Sequence, residues 1–285
     1  MTSNFSSYRC TAGLVLALAM MGSQAQAQGR LKGQYTISMT GVSIGQIAWA
    51  VDINETRYVT SAQGKASGVL SVLVNGEGSV TTRGMVKDNR LLPSSFTSRI
   101  VDDEGVSELR MTFEDGNVKD LVGPPPPPGD RVPIKEADRH GVSDPLSAML
   151  IATQAGSDML APANCNHVLH IFDGRRRYNL TLAYKRIDRV KFDRGATVAV
   201  LVCGVVLQPI AGYRADSMLV KYVAGRRDSE LWFAPIAGTE VIAPVRVVMP
   251  TLLGTLEIGA TQFETIATPP TTPPSVPAPV PANPQ

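Results

Sequence analysis

Net charge and aromatic residues are both scarce in this sequence of 285 residues. The formal net charge is only +2, and aromatic residues make up 6% of the chain. Proteins that bind nucleic acids carry a strongly basic surface, so this balance argues against a nucleic-acid partner. A chain this close to neutral also has little overall attraction for anionic membranes.

Long apolar runs are lacking after residue 27. The best candidate, Ala196 to Leu207, is much shorter than the roughly 18 residues that a membrane-spanning helix needs. It is rich in valine, which favours a buried strand. We therefore expect no transmembrane helix once the N-terminal segment has been removed.

Histidine is rare as well, and its spacing does not predict a metal site. The three histidines are His140, His167 and His170. Side chains three residues apart on a strand point to opposite faces, so His167 and His170 cannot share a metal ion there. The sequence predicts no metal ligand and no cofactor.

The N-terminus has the features of an export signal. Arg9 precedes an apolar core from Leu14 to Met21, and Ala25-Gln26-Ala27 is a cleavage site of the A-x-A type. We expect a signal peptide over residues 1–27 and a periplasmic mature protein.

Only two of the three cysteines remain after this cleavage, because Cys10 lies inside the signal peptide. Cys165 and Cys203 then enter an oxidising compartment, where thiols form disulfides. No C-x-x-C motif is present to make a redox-active pair. We expect a structural disulfide between Cys165 and Cys203.

The mature chain shows the alternation of apolar and polar residues that is typical of antiparallel β-sheet. Tyr35, Ile37 and Met39 alternate with polar residues, and so do Leu109, Met111 and Phe113; these examples represent about a dozen such segments. Asp115-Gly116 and Asp173-Gly174 favour type I′ hairpin turns between strands. The pattern predicts an all-β fold, a strongly curved open barrel, roll or sandwich.

Three segments depart from this pattern. Ser143-Asp144-Pro145 followed by apolar residues at helical spacing predicts a short amphipathic helix ending near Gln154. Residues 123–129 contain a polyproline run and predict a stiff, exposed connector. Residues 268–285 are rich in proline and uncharged, and predict a disordered tail. A single β-rich domain would then occupy residues 28–267.

Two motifs could indicate a reactive or binding site. Gly41-Val42-Ser43-Ile44-Gly45 matches the nucleophile elbow, but that motif needs a following helix, and residues 46–53 alternate as a strand. Arg175-Arg176-Arg177 could bind a phosphate or carboxylate. We favour the interpretation that these three arginines form a solvated strand start that protects a sheet edge. We assign no catalytic residue.

The interior allows two interpretations. A curved sheet lined by aliphatic side chains could hold an acyl chain or a hydrophobic peptide. An ordinary packed core, with the predicted helix as its plug, agrees equally well with the composition, and we favour it. A hydrolytic site would need two of the acids Asp144, Asp173, Glu230 and Glu257 to be brought together, and their spacing pairs none of them.

Several motifs, in their order along the chain, resemble the exported Gram-negative proteins grouped as domain of unknown function 3108. The motifs are Ser143-Asp144-Pro145-Leu146-Ser147, Phe172 to Tyr178, Glu230 to Pro235, Pro244 to Val247 and Thr251 to Leu256. The resemblance covers most of residues 35–265. It implies a strongly curved open barrel or β-spiral around a helix, similar to envelope-integrity spirals and to the half-barrels of lipoprotein carriers. It implies no catalytic residues.

Together these observations predict a non-enzymatic periplasmic protein of envelope maintenance that binds a hydrophobic ligand or an envelope protein. A hydrolase acting on envelope polymers and a structural spacer using the Pro-rich tail are the alternatives. The sequence favours no particular oligomeric state.

The export signal leads to a direct test. We expect cleavage after Ala27, because the basic residue, apolar core and small-x-small site occur in the order that signal peptidases require. N-terminal sequencing of the protein from its native host should begin at Gln28. A mature protein that retains Met1 would contradict both the localisation and the argument for the disulfide.

Overall fold

The computed structural model describes residues 28–67, 76–103, 105–126, 128–193 and 197–268. The predicted signal peptide lies outside these residues, and so does the predicted tail beyond residue 268.

In these described ranges, fourteen antiparallel strands form one sheet, which confirms the all-β prediction. Their bounds are β1 (Gly29–Met39), β2 (Val42–Ile53), β3 (Arg57–Ala66), β4 (Gly76–Lys87), β5 (Arg90–Asp102), β6 (Gly105–Glu114), β7 (Asn117–Val122), β8 (Ile151–Ala152), β9 (Val168–Phe172), β10 (Arg177–Lys191), β11 (Thr197–Ala211), β12 (Ser229–Pro235), β13 (Val241–Thr251) and β14 (Gly254–Ala267). The one described α-helix, α1 (Met218–Gly225), lies between β11 and β12.

The sheet consists of two meanders that meet at the first and last strands. Its order is β7-β6-β5-β4-β3-β2-β1-β14-β13-β12-β11-β10-β9, and β8 pairs with β13 at the side. β1 pairs along its whole length with β14, from Gly29 opposite Ala267 to Met39 opposite Leu256. The two halves of the chain therefore share one continuous inner face.

Tight turns connect the strands of the first meander. Thr40-Gly41, Asp88-Asn89 and Asp115-Gly116 each have two consecutive residues with positive φ, between 49° and 83°. This is the type I′ geometry that matches the twist of paired strands, and it was predicted for Asp115-Gly116. The prediction was wrong for Asp173-Gly174, because only Gly174 has a positive φ, and the loop spans residues 173–176.

Two glycines inside strands make room for tyrosine rings on the inner face. A Cβ on Gly33 would lie 2.5 Å from the ring of Tyr35, and one on Gly84 would lie 2.4 Å from the ring of Tyr58. Both tyrosines are buried in the core. The glycines therefore let the sheet bend over large side chains at positions where any other residue would collide with the ring.

The sheet curls so far that its two outer strands come close, although β7 and β9 do not pair with each other in the described part of the chain. A short segment bridges them instead. The Val142 N–H donates to the Gly116 carbonyl in the β6–β7 turn, at 2.8 Å. Ser143 exchanges backbone hydrogen bonds with β9, donating to His170 and accepting from Phe172. The result is an open barrel bridged by its own connector.

The predicted helix at residues 145–154 was wrong. Residues 147–149 form one 3-10 turn, and Ile151 and Ala152 then pair with Ile242 and Val241 of β13. Because the backbone of Ile151 and Ala152 pairs with an existing strand, sheet pairing outweighs the helical spacing of the apolar side chains. The segment still lies in the interior, as a plug would.

The polyproline connector follows β7, and Pro125, Pro126 and Pro128 are exposed. The chain after it is anchored to the loop before α1. Val132 donates to the Tyr213 carbonyl and accepts from the Gly212 N–H, at 3.0 and 2.8 Å. No helix in the described ranges has the length and apolar character needed to cross a bilayer.

Cys165 and Cys203 form a disulfide, with their Cα atoms 5.6 Å apart. Cys165 ends a 3-10 turn at Pro162–Cys165, and Cys203 lies in the middle of β11. Both residues are fully buried in the core, together with Leu182, Leu201 and Phe233. The bond ties the interior segment to the second meander.

We expect the double substitution Cys165→Ser and Cys203→Ser to lower the free energy of unfolding by about 2–4 kcal/mol, because the loop of 38 residues becomes free in the unfolded chain. Urea denaturation of the two proteins measures the difference. Titration that finds two free thiols in the native protein would show that the bond does not form.

Candidate functional site

An apolar cavity of about 550 Å³ opens at one end of the barrel. It lies at the end where β1 and β13 finish and where β2, β12 and β14 begin. Its wall comes from inward-facing residues of both meanders, including Tyr35, Ile47, Trp49, Leu180, Val205, Leu207, Leu231, Val247, Met249 and Ile258. The completely packed interior that the sequence favoured is therefore not what the structure has at this end.

The wall follows from the alternation along each strand. On β11 the inner positions Val205 and Leu207 line the cavity, whereas Val200 and Val202 belong to a separate cluster on the outer face. Aliphatic residues at every second position thus give a continuous apolar lining.

Tyr35 and Trp49 contribute aromatic rings to the wall while their polar atoms are satisfied elsewhere. The Tyr35 hydroxyl donates to the Pro244 carbonyl at 2.8 Å, and the Trp49 indole N–H donates to the Thr60 hydroxyl at 2.7 Å. Burial raises the pKa of Tyr35 well above its usual range. The rings therefore present apolar surface to the cavity.

The floor of the cavity is the 3-10 turn of the interior segment. Leu146 and Met149 project from this turn into the lining. Asp144 positions the turn, because its Oδ1 accepts hydrogen bonds from the backbone N–H groups of Leu146 and Ser147 at 2.9 and 3.0 Å. The Thr82 hydroxyl of β4 donates to the same oxygen at 2.8 Å.

The second oxygen of Asp144, Oδ2, is buried and has no hydrogen-bond partner in the described residues. Burial raises the pKa of this carboxyl, and the hydrogen bonds to Ser147, Thr82 and Leu146 only partly oppose that shift. Asp144 is thus a structural acid beneath the cavity whose ionised form is costly to keep.

Helix α1 covers part of the cavity mouth. It begins after Ser217, whose hydroxyl accepts from the Val220 N–H at 3.3 Å as an N-cap. Val220 and Val223, one turn apart, line the cavity. Sequence reasoning missed this helix, although a serine cap before apolar residues at positions i and i+3 is a recognisable signal.

Polar groups are a minority of the cavity lining, and some of them belong to the charged residues Asp173, Arg176, Arg177 and Glu230. The others include the hydroxyls of Tyr178, Tyr213 and Ser229, and none of these hydroxyls forms a side-chain hydrogen bond to a described residue. Burial raises the pKa of Tyr178 above its usual range. These hydroxyls are free to hydrogen-bond a molecule in the cavity, while the apolar lining favours a hydrophobic one.

Of the four candidate acids, Asp173 and Glu230 both border the cavity, but each is held by its own hydrogen-bond partners. Asp144 lies beneath the floor, and Asp173 accepts hydrogen bonds from the N–H groups of its own turn. Glu230 and Glu257 each bind a different arginine, Arg186 and Arg246. No two of the four share a hydrogen-bond partner, and the ion pairs of Glu230 and Glu257 leave neither of them as a proton donor held for a second carboxylate.

Glu230 belongs to a charged cluster on the outer face of the second meander. Its hydrogen bonds to Arg186, above all, lower its pKa to about 2, and Lys185 and Trp232 also donate to it. The guanidinium groups of Arg186 and Arg246 both lie 5.0 Å from the centre of the Trp232 ring. Glu230 therefore stays ionised and cannot serve as an acid at neutral pH.

The nucleophile-elbow motif and the triple-arginine motif both lie where a strand begins. Ser43 is the second residue of β2, and no helix follows it, as predicted. Arg177 is buried, contrary to the predicted solvated strand start: its guanidinium donates to the Tyr178 carbonyl and to Asn179. In the described residues, no group of three or more His, Cys, Asp or Glu could hold a metal ion.

Comparison with known proteins identifies a family but no activity. A family model described as "Protein of unknown function (DUF3108)" matches residues 34–261. A solved structure with a similar fold is that of a beta-barrel-like protein of domain of unknown function DUF1849 from Brucella abortus. It has 11% sequence identity and a TM-score of 0.45, covering 85% of this chain and 99% of the other. No curated protein matches the chain.

The buried acid beneath the cavity predicts a pH effect. A raised pKa in the folded state means that the stability contribution of Asp144 is present below pH ~4 and is lost as the pH rises through the folded-state pKa. Asp144→Asn keeps an oxygen for the N–H groups of Leu146 and Ser147 but cannot ionise. We therefore expect the variant to gain stability relative to the wild type as the pH rises from about 4 to 8.

Urea denaturation of both proteins across this pH range measures the effect. A stability difference that stays constant with pH would show that Asp144 does not titrate differently in the folded and unfolded states.

Proposed function

The chain belongs to the DUF3108 family of proteins of unknown function, and on the basis of its apolar cavity we propose that it is a non-enzymatic periplasmic protein of envelope maintenance that binds a hydrophobic ligand. The ligand class that suits the cavity best is a lipid acyl chain. The proposed location depends on the export signal in residues 1–27.

The cavity supports this proposal by its size and its chemistry. Ligand sites in proteins are typically about 300–1,000 Å³, and most are lined by hydrophobic side chains with a few polar groups that fix orientation. The volume of about 550 Å³ falls within that range. The aliphatic lining would bind an acyl chain, and the free hydroxyls of Tyr178, Tyr213 and Ser229 would interact with its polar end.

The cavity also has a cost that a filled core would avoid. Side chains around an unfilled space lose dispersion contacts with the atoms that would otherwise pack there. Here the bulky residues Leu146 and Met149 fill one side only, and helix α1 covers the mouth without filling the space. A bound acyl chain would supply the missing contacts and stabilise the fold.

The proposal is tested by filling the cavity. Val247 lines the wall on β13, so Val247→Trp should occupy part of the space and weaken binding of a fluorescent fatty acid by about tenfold or more. The matched control is Val59→Trp, because Val59 is 38% exposed on β3 and does not line the cavity. Fluorescence titration gives the dissociation constants, and thermal melts show that both variants are folded.

Equal binding by wild type and a folded Val247→Trp variant would contradict the proposal, and so would a wild-type protein that does not bind the probe. Native mass spectrometry of the protein purified from its own periplasm gives an independent measurement, since a carrier should retain a fraction of lipid of defined mass.

A further inference from the structure

Five exposed apolar side chains lie on three elements at the end of the barrel that holds the cavity. Val42 follows the β1–β2 turn, Leu252 and Leu253 form the β13–β14 turn, and Met218 and Leu219 begin helix α1. Leu253 and Met218 are the most exposed large apolar residues described, at 81% and 74%. We call these five residues the apolar rim.

The strand register places the rim at one end of the barrel. The Thr40 N–H donates to the Thr255 carbonyl at 2.8 Å, which joins the β1–β2 turn to the β13–β14 turn. Glu230 at the start of β12 pairs with Val248 near the end of β13, so the α1–β12 junction lies beside that same turn. Met218 and Leu219 lie at the start of α1, next to Val220, which lines the cavity together with Val223 of α1 and Met249 of β13.

The charges next to the rim are mostly basic, although the whole chain is close to neutral. Residues 214–228, which include α1, contain four basic and two acidic residues. The two acids, Asp216 and Asp228, form ion pairs with Arg214 and Arg226, so the excess positive charge comes from Lys221 and Arg227. The β9–β10 turn adds Arg175 and Arg176 and one acid, Asp173, and both Arg176 and Asp173 line the cavity. The β1–β2 and β13–β14 turns have no charged residue between 40 and 45 or between 251 and 256. The end with the cavity therefore combines apolar tips with basic neighbours.

We propose that the apolar rim docks on the surface of a lipid bilayer that contains anionic lipid, with the cavity mouth facing the membrane. The rim inserts into the interface between headgroups and acyl chains, and the basic residues within and next to α1 and in the β9–β10 turn contact lipid phosphates. The biological role of this docking rests on the proposed function. Docking would let an acyl chain pass between bilayer and cavity without crossing water.

The shape of the rim favours a bilayer over a protein partner. A stable protein interface buries roughly 800 Å² on each side, with closely packed complementary surfaces. The rim instead consists of separate tips on three elements, the β1–β2 turn, the β13–β14 turn and helix α1. A fluid interface can surround each tip, whereas a rigid partner would have to bridge the three elements. Exposed apolar side chains grouped in this way typically mark an interaction site.

The experiment is flotation of the full mature protein with vesicles of phosphatidylcholine, with and without phosphatidylglycerol. We expect the wild type to float with the anionic vesicles and to be released by high salt. Met218→Asp/Leu253→Asp should reduce the bound fraction by about tenfold or more, because two apolar anchors are lost and two negative charges are added. Met85→Asp/Ile266→Asp is the matched control, since these exposed apolar residues lie near the opposite end of the barrel.

The proposal would be supported if the wild type binds the anionic vesicles, the rim variant binds them less and the control variant binds them as the wild type does. No flotation of the wild type, or equal flotation of the rim variant, would overturn it. If the double variant does not fold, Leu253→Asp alone replaces it, because that side chain is almost fully exposed. Titration with the fluorescent fatty acid separates the two proposals: flotation without probe binding contradicts the cavity, and probe binding without flotation contradicts the docking.

Discussion

The fold depends on the pairing of its first and last strands. β1 lies between β2 and β14, and its contacts with β14 connect residues more than 200 positions apart. Without this pairing the two meanders would be separate sheets, each with an exposed apolar face. Because such contacts must overcome the entropy of closing a very long loop, they also make folding slow relative to local hairpins. Once formed, this pairing gives the sheet its continuous inner face.

The cavity exists because the interior is filled unevenly. The bridging segment enters after the connector, crosses between the β6–β7 turn and β9, and ends on β13. Its bulk lies at one end of the barrel, anchored by Asp144 to Thr82 and by Tyr58 to Ser147 at 2.7 Å. At the other end only side chains from the wall and α1 face one another. A buried polar network of this kind holds the floor in one position, which a cavity of constant shape requires.

Polar groups are divided between the two faces of the second meander. The outer face of β12 and its neighbours carries Glu230 and Trp232 in a cluster with arginines, while the inner positions Ser229 and Leu231 belong to the cavity lining. Charges that satisfy one another on the outside leave the inner face apolar. The same alternation that forms a stable sheet thus also directs most of the ion-paired side chains to the outer face, although Glu230 borders the cavity as well.

Local patterns in the sequence were sufficient for the strands, for the Asp115-Gly116 turn and for the Cys165–Cys203 bond. Each of these depends on neighbouring residues, or on the fact that only two cysteines remain after the predicted cleavage. The helix was misplaced because helical spacing at residues 145–154 competes with an open edge of β13, and that edge is not visible in the local sequence. Burial of Arg177 and of Asp144 likewise depends on segments distant in the chain. The cavity could only be decided by the tertiary structure, since a void is set by how far inward-facing side chains reach across the barrel, and composition alone fits a filled core equally well.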